Sequence, residues 1–401
     1  MEIRPILASL RKHRIPAVLI VLEIALACAV LCNAVFMIGQ RVADIHMRNA
    51  IDERGISVLT LNGADPARAA ADIPRNLAAL RGIAGVKAVA TTTGMPLDTY
   101  AALTGFTTTP EGKSNVNTAE YFLGGGAEQA LGLRLLQGRY FNADEYADSG
   151  LDGFKSTAHV MLVTESDARR LWPGQSALGK RLYSDSTSWT VIGVVADVLA
   201  QEPAFSGGGG RYSSVFFPLR PQVELSNYVL RSAPQDRERI VREAVQVLGK
   251  LEPTAVVEGK TYEAMRAEYF ADTSSMAWML VLVCVVMLAV TAFGIVGLTS
   301  FWVQQRQRQI GIRRAIGATR GHILGYFRTE NFLLSTAGVL VGMGLAFGIN
   351  LYLMMHYEVS RMPWYYLPGG AIALWLLGQF AVLGPALRAA AVPPVVATRA
   401  G

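Results

Sequence analysis

The sequence predicts a membrane α-helical protein, with four transmembrane helices and an α+β extracytoplasmic domain inserted between helices 1 and 2. Three observations predict it. Charged residues make up only 17% of the 401 positions and hydrophobic residues 51%, where soluble chains carry roughly 25% charge. The deficit is concentrated in segments 16–38, 277–303, 331–355 and 369–387, whose one charged residue is Glu23. About 20 apolar residues cross a bilayer as a helix, and each segment reaches that length. Between the first and second lies a hydrophilic region, about 45–270, large enough to fold around its own core. The resulting division is 1–44 (N-terminus and helix 1), 45–270 (external domain) and 271–401 (helices 2–4, with a loop at 304–328). A wholly soluble or disordered chain is excluded.

The charge balance supports the same division. The net charge is +6, yet residues 45–270 carry 23 Lys/Arg against 25 Asp/Glu, and the remainder carries 14 against 6. The basic excess therefore belongs to the membrane part, and no nucleic-acid partner is expected. Arg4, Arg11, Lys12 and Arg14 precede helix 1. The loop 304–328 holds Arg306, Arg308, Arg313, Arg314, Arg320 and Arg328 without an acid, and Arg388 and Arg399 follow helix 4. Short basic loops stay cytoplasmic. Both termini and the 304–328 loop are thus expected inside, with 45–270 and 356–368 outside.

The apolar run of helix 1, Ile15–Gly39, exceeds the core of a cleaved signal peptide and reads as an uncleaved anchor. Glu23 lies inside it. An acid at that depth is costly and faces the bundle or a cavity. A packing contact with another helix or subunit is the simpler reading, and a polar site in a transport path the other. Cys28, Cys32 and Cys284 all fall in predicted membrane helices, so the external domain needs no disulfide, and no metal-ligand spacing is present.

In the external domain, 57–61 and 86–92 read as strands flanking a helix at 66–80, a β–α–β unit. Strands are also expected at 159–163, 189–195, 214–217 and 227–231, helices at about 165–172 and 235–249, and a flexible glycine loop at 206–210. From Tyr262 the helical pattern runs into membrane helix 2 without Pro or Gly. That predicts one unbroken helix able to act as a strut.

Motifs for catalysis are weak. Gly174–Lys180 (GQSALGK) fits G-x-x-x-x-G-K, but Arg181 stands where a phosphate-binding loop needs Ser or Thr, and no buried strand precedes it. The five histidines are scattered, with no H-E-x-x-H, and G-x-S-x-G is absent. Helix 3 contains Gly338-x-x-x-Gly342 and Gly344-x-x-x-Gly348, spacings that allow close helix approach within or between chains.

The loop is more informative. Gln304–Arg328 alternates arginine with Ile310, Ile312, Ala315 and Ile316, and breaks at Gly317, after which Thr319 is placed to cap a second helix. A short helix with apolar and basic faces beside a membrane docks on a partner protein or lies on anionic lipid.

At these residues the chain resembles the MacB/FtsX/LolC-type ABC transporter permeases. RQIGIRRAIGATR (308–320) looks like the family signature, and Arg388–Arg399 looks like its R-A-A-x-x-x-P-V-x-A-x-R tail. Tyr121-Phe122, Gly132-Leu133, Gly138–Phe141, Ala168–Gly174, Gly179-Lys180 and Val191–Asp197 resemble the MacB-type periplasmic core domain. The resemblance implies a permease in a bacterial inner membrane, paired with a second permease chain and driven by two cytoplasmic ABC ATPases. Arg308, Ile310, Gly311, Ile312, Arg313, Arg314, Ala315, Ile316, Gly317 and Ala318 would form the coupling segment. ATP and Mg would bind the ATPase, leaving this chain with no cofactor and no enzymatic activity. A periplasmic adaptor and an outer-membrane duct are further partners in some relatives. MacB carries its ATPase before helix 1; only about fifteen residues precede it here, so a separate ATPase subunit is expected. Gln309 and Val396 replace acidic residues usual in the family, which favours keeping a heterodimer in view. Outside the resemblance, the large external domain also suits a membrane-anchored sensor or a membrane-anchored hydrolase.

Overall fold

Four long helices carry the apolar segments: Arg14–Ile45, Ala271–Gln305, Arg320–Tyr357 and Tyr366–Ala391, here membrane helices 1 to 4. All four are long and apolar enough to cross a membrane. The computed structural model describes residues 14–98, 103–110, 112, 116–147, 149–152, 155–184, 187–203, 210–220, 227–357 and 361–391. Arg4, Arg11, Lys12, most of the glycine loop and the tail from Val392, with Val396 and Arg399, lie outside them. The chain divides into two compact units, one of residues 1–46 with 272–401 and the other of residues 47–271.

In the membrane unit, small residues let helices 1, 3 and 4 approach closely. A β-carbon added at Gly338 would lie 2.8 Å from Ile24, and one at Gly342 2.5 Å from Cys28 and 2.7 Å from the Ala25 carbonyl. Gly370 sits in the same way against Cys32, and Gly378 against Ser335. A β-carbon added at Gly344 or Gly348 would meet nothing within 4 Å among the described residues, so this second glycine pair is not a close approach to helix 1 or 4. Buried amides bridge the helices: Asn33 donates to the Ala346 carbonyl (3.1 Å) and Asn331 to that of Gly378 (2.9 Å), while Asn350 accepts from the Met362 N–H (2.9 Å). Helix 2 leaves most of its length uncovered, with Trp278, Leu282, Val290 and Phe293 all more than 60% exposed. Glu23 of helix 1 lies against Gly294 of helix 2, where any added β-carbon would overlap the carboxylate.

The other unit is built on one eleven-stranded sheet. Its strands are β1 (Ile56–Asn62), β2 (Val86–Thr93), β3 (Leu103–Phe106), β4 (Val116–Leu123) and β5 (Leu135–Gly138). After the short pair β6 (Leu151–Asp152) and β7 (Lys155–Ser156), which stands apart, come β8 (Val160–Thr164), β9 (Arg181–Ser184) and β10 (Thr187–Val195). β11 (Ser214–Pro218), β12 (Asn227–Ser232) and β13 (Val256–Thr261) complete it. The path runs β13-β1-β12-β2-β4-β11-β8-β10-β5, with β3 on β4 and β9 on β10.

The expected β–α–β unit is present but split. β1, helix Ala69–Arg81 and β2 form one unit; β12, helix Arg237–Leu251 and β13 form another. β12 slots between β1 and β2, antiparallel to both, and β1 slots between β12 and β13. This is a split βαβ pair. Leu77 and Leu80 of one helix and Ile240 and Leu248 of the other share a core with Leu59 and Leu230. Residues 103–218 are inserted between the two units and extend the sheet around Phe106, Phe122, Trp189 and Phe217.

The unbroken helix expected from Tyr262 is instead two, Tyr262–Tyr269 and Ala271–Gln305. Phe270 stands between them at φ −92°, ψ 7°. It is buried, with the Arg266 guanidinium 5.5 Å from its ring centre. The interruption is one residue long, the Phe270 N–H still bonding the Arg266 carbonyl at 3.1 Å, and it needs neither Pro nor Gly.

Candidate functional site: the 306–330 segment and the domain base

Helix 2 ends at Gln305, and a short helix, Gln307–Ala315, follows at once. Its end is a Schellman turn. Gly317 adopts φ +103°, and the Ala318 N–H reaches back to the Arg313 carbonyl at 3.0 Å. Thr319 then caps helix 3, its hydroxyl accepting from the His322 N–H at 3.3 Å. These two devices fix the short helix on the start of helix 3.

The expected coupling residues separate into two sets. Ile310 and Gly311 are buried, Ile310 in one cluster with Ile323 and Phe327. Ile310 therefore holds the segment in place and is not on its outer face. Ile312 and Ile316 point outward, 49% and 81% exposed, with Arg308, Ala315 and Gly317 also exposed and Ala318 half-buried. The Arg313 guanidinium lies 5.2 Å from the Tyr326 ring centre. Arg314 is within the helix, but its side chain is outside the described residues.

Sequence reasoning missed the group that pins this segment. Arg306 Nη1 reaches both oxygens of Glu330, at 3.1 and 3.2 Å, with the two side chains only 9% and 2% exposed. The guanidinium also lies 5.4 Å from the Trp302 ring centre. The available signal was that Glu330 is the one acid between 304 and 357. An acid alone among so many arginines, at the edge of an apolar span, points to a buried partner.

In the other unit, polar contacts tie the segment leading in to the helix leading out. Arg266 donates to Glu53 (2.8 Å) and to the Met47 carbonyl (2.6 Å). Arg237 forms a two-pronged pair with Glu263 (2.9 and 2.5 Å). The buried Tyr262 hydroxyl accepts from Asn49 (3.2 Å) and donates to the Pro96 carbonyl (3.1 Å). Burial raises the Glu53 carboxyl above its ordinary range, with Arg266 opposing. Asn49 also accepts from the Leu199 N–H (3.3 Å), and the Ala50 N–H donates to the Asp197 carbonyl (3.0 Å). The inserted region is thus tied into the same base. Asp167 is buried nearer the middle of the sheet, accepting from Ser213 (2.8 Å) and Thr164 (3.2 Å). Burial pushes its carboxyl up to about 7.

The G-x-x-x-x-G-K stretch has the wrong setting for nucleotide. A helix, Glu165–Leu171, comes before it and strand β9 after it, and Lys180 bonds Gln175 (3.1 Å). A phosphate-binding loop needs the reverse order, strand then helix.

Two family models match the chain: the MacB-like periplasmic core domain over residues 24–259 and the FtsX-like permease C-terminal region over 281–394. The chain belongs to the MacB-like ABC transporter permease family. Among this permease's relatives is the macrolide export ATP-binding/permease protein MacB of Chromobacterium violaceum. It is 26% identical over 59% of this chain and 36% of MacB. The ABC transporter permease YknZ of Bacillus subtilis is 25% identical over 80% of this chain and 77% of YknZ. The chain thus spans about a third of MacB and about three quarters of YknZ. The periplasmic region of MacB from Actinobacillus actinomycetemcomitans aligns over 55% of this chain and 94% of that structure, at 13% identity and a TM-score of 0.38. The MacB-like match begins inside helix 1 and ends in β13, and the FtsX-like match covers the 306–330 segment and helices 3 and 4.

Proposed function

We propose that this permease transmits the ATP-driven motion of a separate ABC ATPase subunit to its inserted domain, for export or for mechanical work outside the membrane. The observation that carries the reading is the 307–318 segment. It presents Ile312 and Ile316 outward beside arginines, while Ile310, the Schellman turn and the Arg306–Glu330 pair lock its inner side to helices 2 and 3. A push on the outer isoleucines would be passed to two membrane helices at once.

In this reading the chain sits in a bacterial inner membrane with both termini and the 304–328 loop cytoplasmic and residues 47–271 periplasmic. The basic loop supports that orientation. ATP and Mg bind the ATPase, and this chain has no cofactor and no enzymatic activity. It pairs with a second permease chain, identical or paralogous; the uncovered sides of helix 2 support such pairing. A periplasmic adaptor and an outer-membrane duct are further partners in an export role. The test is Ile312→Asp with Ile316→Asp. Insertion and folding should be retained, while the purified complex loses the ATPase or loses stimulated ATP turnover. Full retention of both would overturn the reading.

A further inference from the structure

Between the short helix and the start of helix 3 lies a cleft of about 280 Å³. Its floor is apolar, made by Ile310, Ile323 and Phe327, and its walls carry Arg306, Arg313 and His322. Among the described residues no acid lines it, Glu330 being paired with Arg306. Arg306 is nine-tenths buried, and its Nη2 has no hydrogen-bond partner among the described residues. An unmet N–H on a buried guanidinium is costly, and an anionic oxygen is its natural complement.

The depth of the cleft identifies what would bring that oxygen. At 1.5 Å per residue, Phe327 lies roughly 8 Å and His322 roughly 15 Å along helix 3 from Phe332, in the first turn of the apolar run. Headgroups occupy roughly 5–8 Å on each side of the hydrocarbon. The inner end of the cleft, at Phe327 and at the Arg306 paired with Glu330, therefore stands at headgroup depth, while Ile323 and His322 lie roughly 6–7 Å beyond that layer. We propose that this cleft binds the phosphate of an anionic phospholipid, seating its glycerol end against Phe327 with the phosphate beside Arg306, and Arg313 and His322 on the outer side. Basic pockets between membrane helices take acidic headgroups for this reason. The proposal concerns this chain and its bilayer alone and does not depend on an ATPase partner.

The test is native mass spectrometry of the full chain in neutral detergent, offered phosphatidylglycerol, phosphatidylcholine or inorganic phosphate. Arg313→Gln with His322→Gln removes the rim; both side chains are exposed, so the fold is retained. Arg308→Gln with Arg320→Gln removes equal or greater basic charge outside the cleft. We expect the wild type to retain phosphatidylglycerol over phosphatidylcholine, with at least tenfold loss in the rim variant and less than twofold change in the other. Equal loss in both variants would mean diffuse attraction to a basic surface and would overturn the site. Absence of headgroup preference, or displacement of the lipid by millimolar phosphate, would do the same. A co-purified protein lost only in the rim variant would assign the cleft to a protein and also overturn the proposal.

Discussion

Glu330→Ala tests the pinning of the 306–330 segment. The Arg306 and Glu330 side chains are 9% and 2% exposed, and Arg306 Nη1 lies within 3.2 Å of both carboxylate oxygens. Removing the carboxylate leaves a buried guanidinium with its ring contact to Trp302 and no counter-charge. Breaking such a pair from one side costs about 3–5 kcal/mol. For a unit of this size each kcal/mol moves the midpoint by about 2–4 °C. The thermal midpoint of the membrane unit should therefore fall by roughly 6–20 °C. Arg306→Met with Glu330→Met removes both charges at similar volume, and such replacements are neutral or stabilising. The assay is thermal unfolding in detergent of wild type, single and double variants. A single variant as stable as wild type, or a double variant no better than the single, would refute the buried-pair reasoning.

The remaining predictions concern packing and pH. Gly342→Leu drives a side chain into Cys28 and Ala25 of helix 1 and should cost several kcal/mol, of the order seen for severe overpacking. Gly348→Leu, in open space, should leave the midpoint within about 2 °C. Equal effects would mean helices 1 and 3 do not meet at Gly342. The Asp167 carboxyl, pushed from 3.8 up to about 7, holds a proton in the folded domain that the unfolded chain releases. Folding stability should therefore fall as pH rises from about 4 to about 7, by up to about 4 kcal/mol, and level off above. Asp167→Asn should flatten that slope; an unchanged pH profile of unfolding in the full chain would contradict it.

The four spans were legible because each is a long run with almost no charge, and a bilayer leaves such a run few alternatives. Local strands such as β1, β2 and β10 were legible from their apolar, β-branched composition. The sheet order was not. β12 enters between β1 and β2 from more than 130 residues further along, and no local pattern encodes that insertion. The four-residue strands β3, β5 and β9 are too short to show a period, and β13 (VVEGKT) is broken by polar residues and a glycine. In the 306–330 segment, arginine–isoleucine alternation revealed an amphipathic helix but not which isoleucine faces inward. Ile310 and Ile316 look alike in sequence; Ile323 and Phe327 bury the first and leave the second out. The break at Phe270 was hidden because it is a single residue, with neither Pro nor Gly to mark it.

The central claim is that this permease is driven through the outer face of its 307–318 segment. The most direct measurement is affinity purification of the intact chain in mild detergent, with partner identification and an ATP hydrolysis assay. The comparison is between wild type and Ile312→Asp with Ile316→Asp. The account predicts that a Walker-motif ATPase and its activity accompany the wild type and are lost with the variant, while both proteins stay inserted and folded. Recovery of the wild-type chain with no ATPase, or of the same ATPase and turnover with the variant, would contradict it.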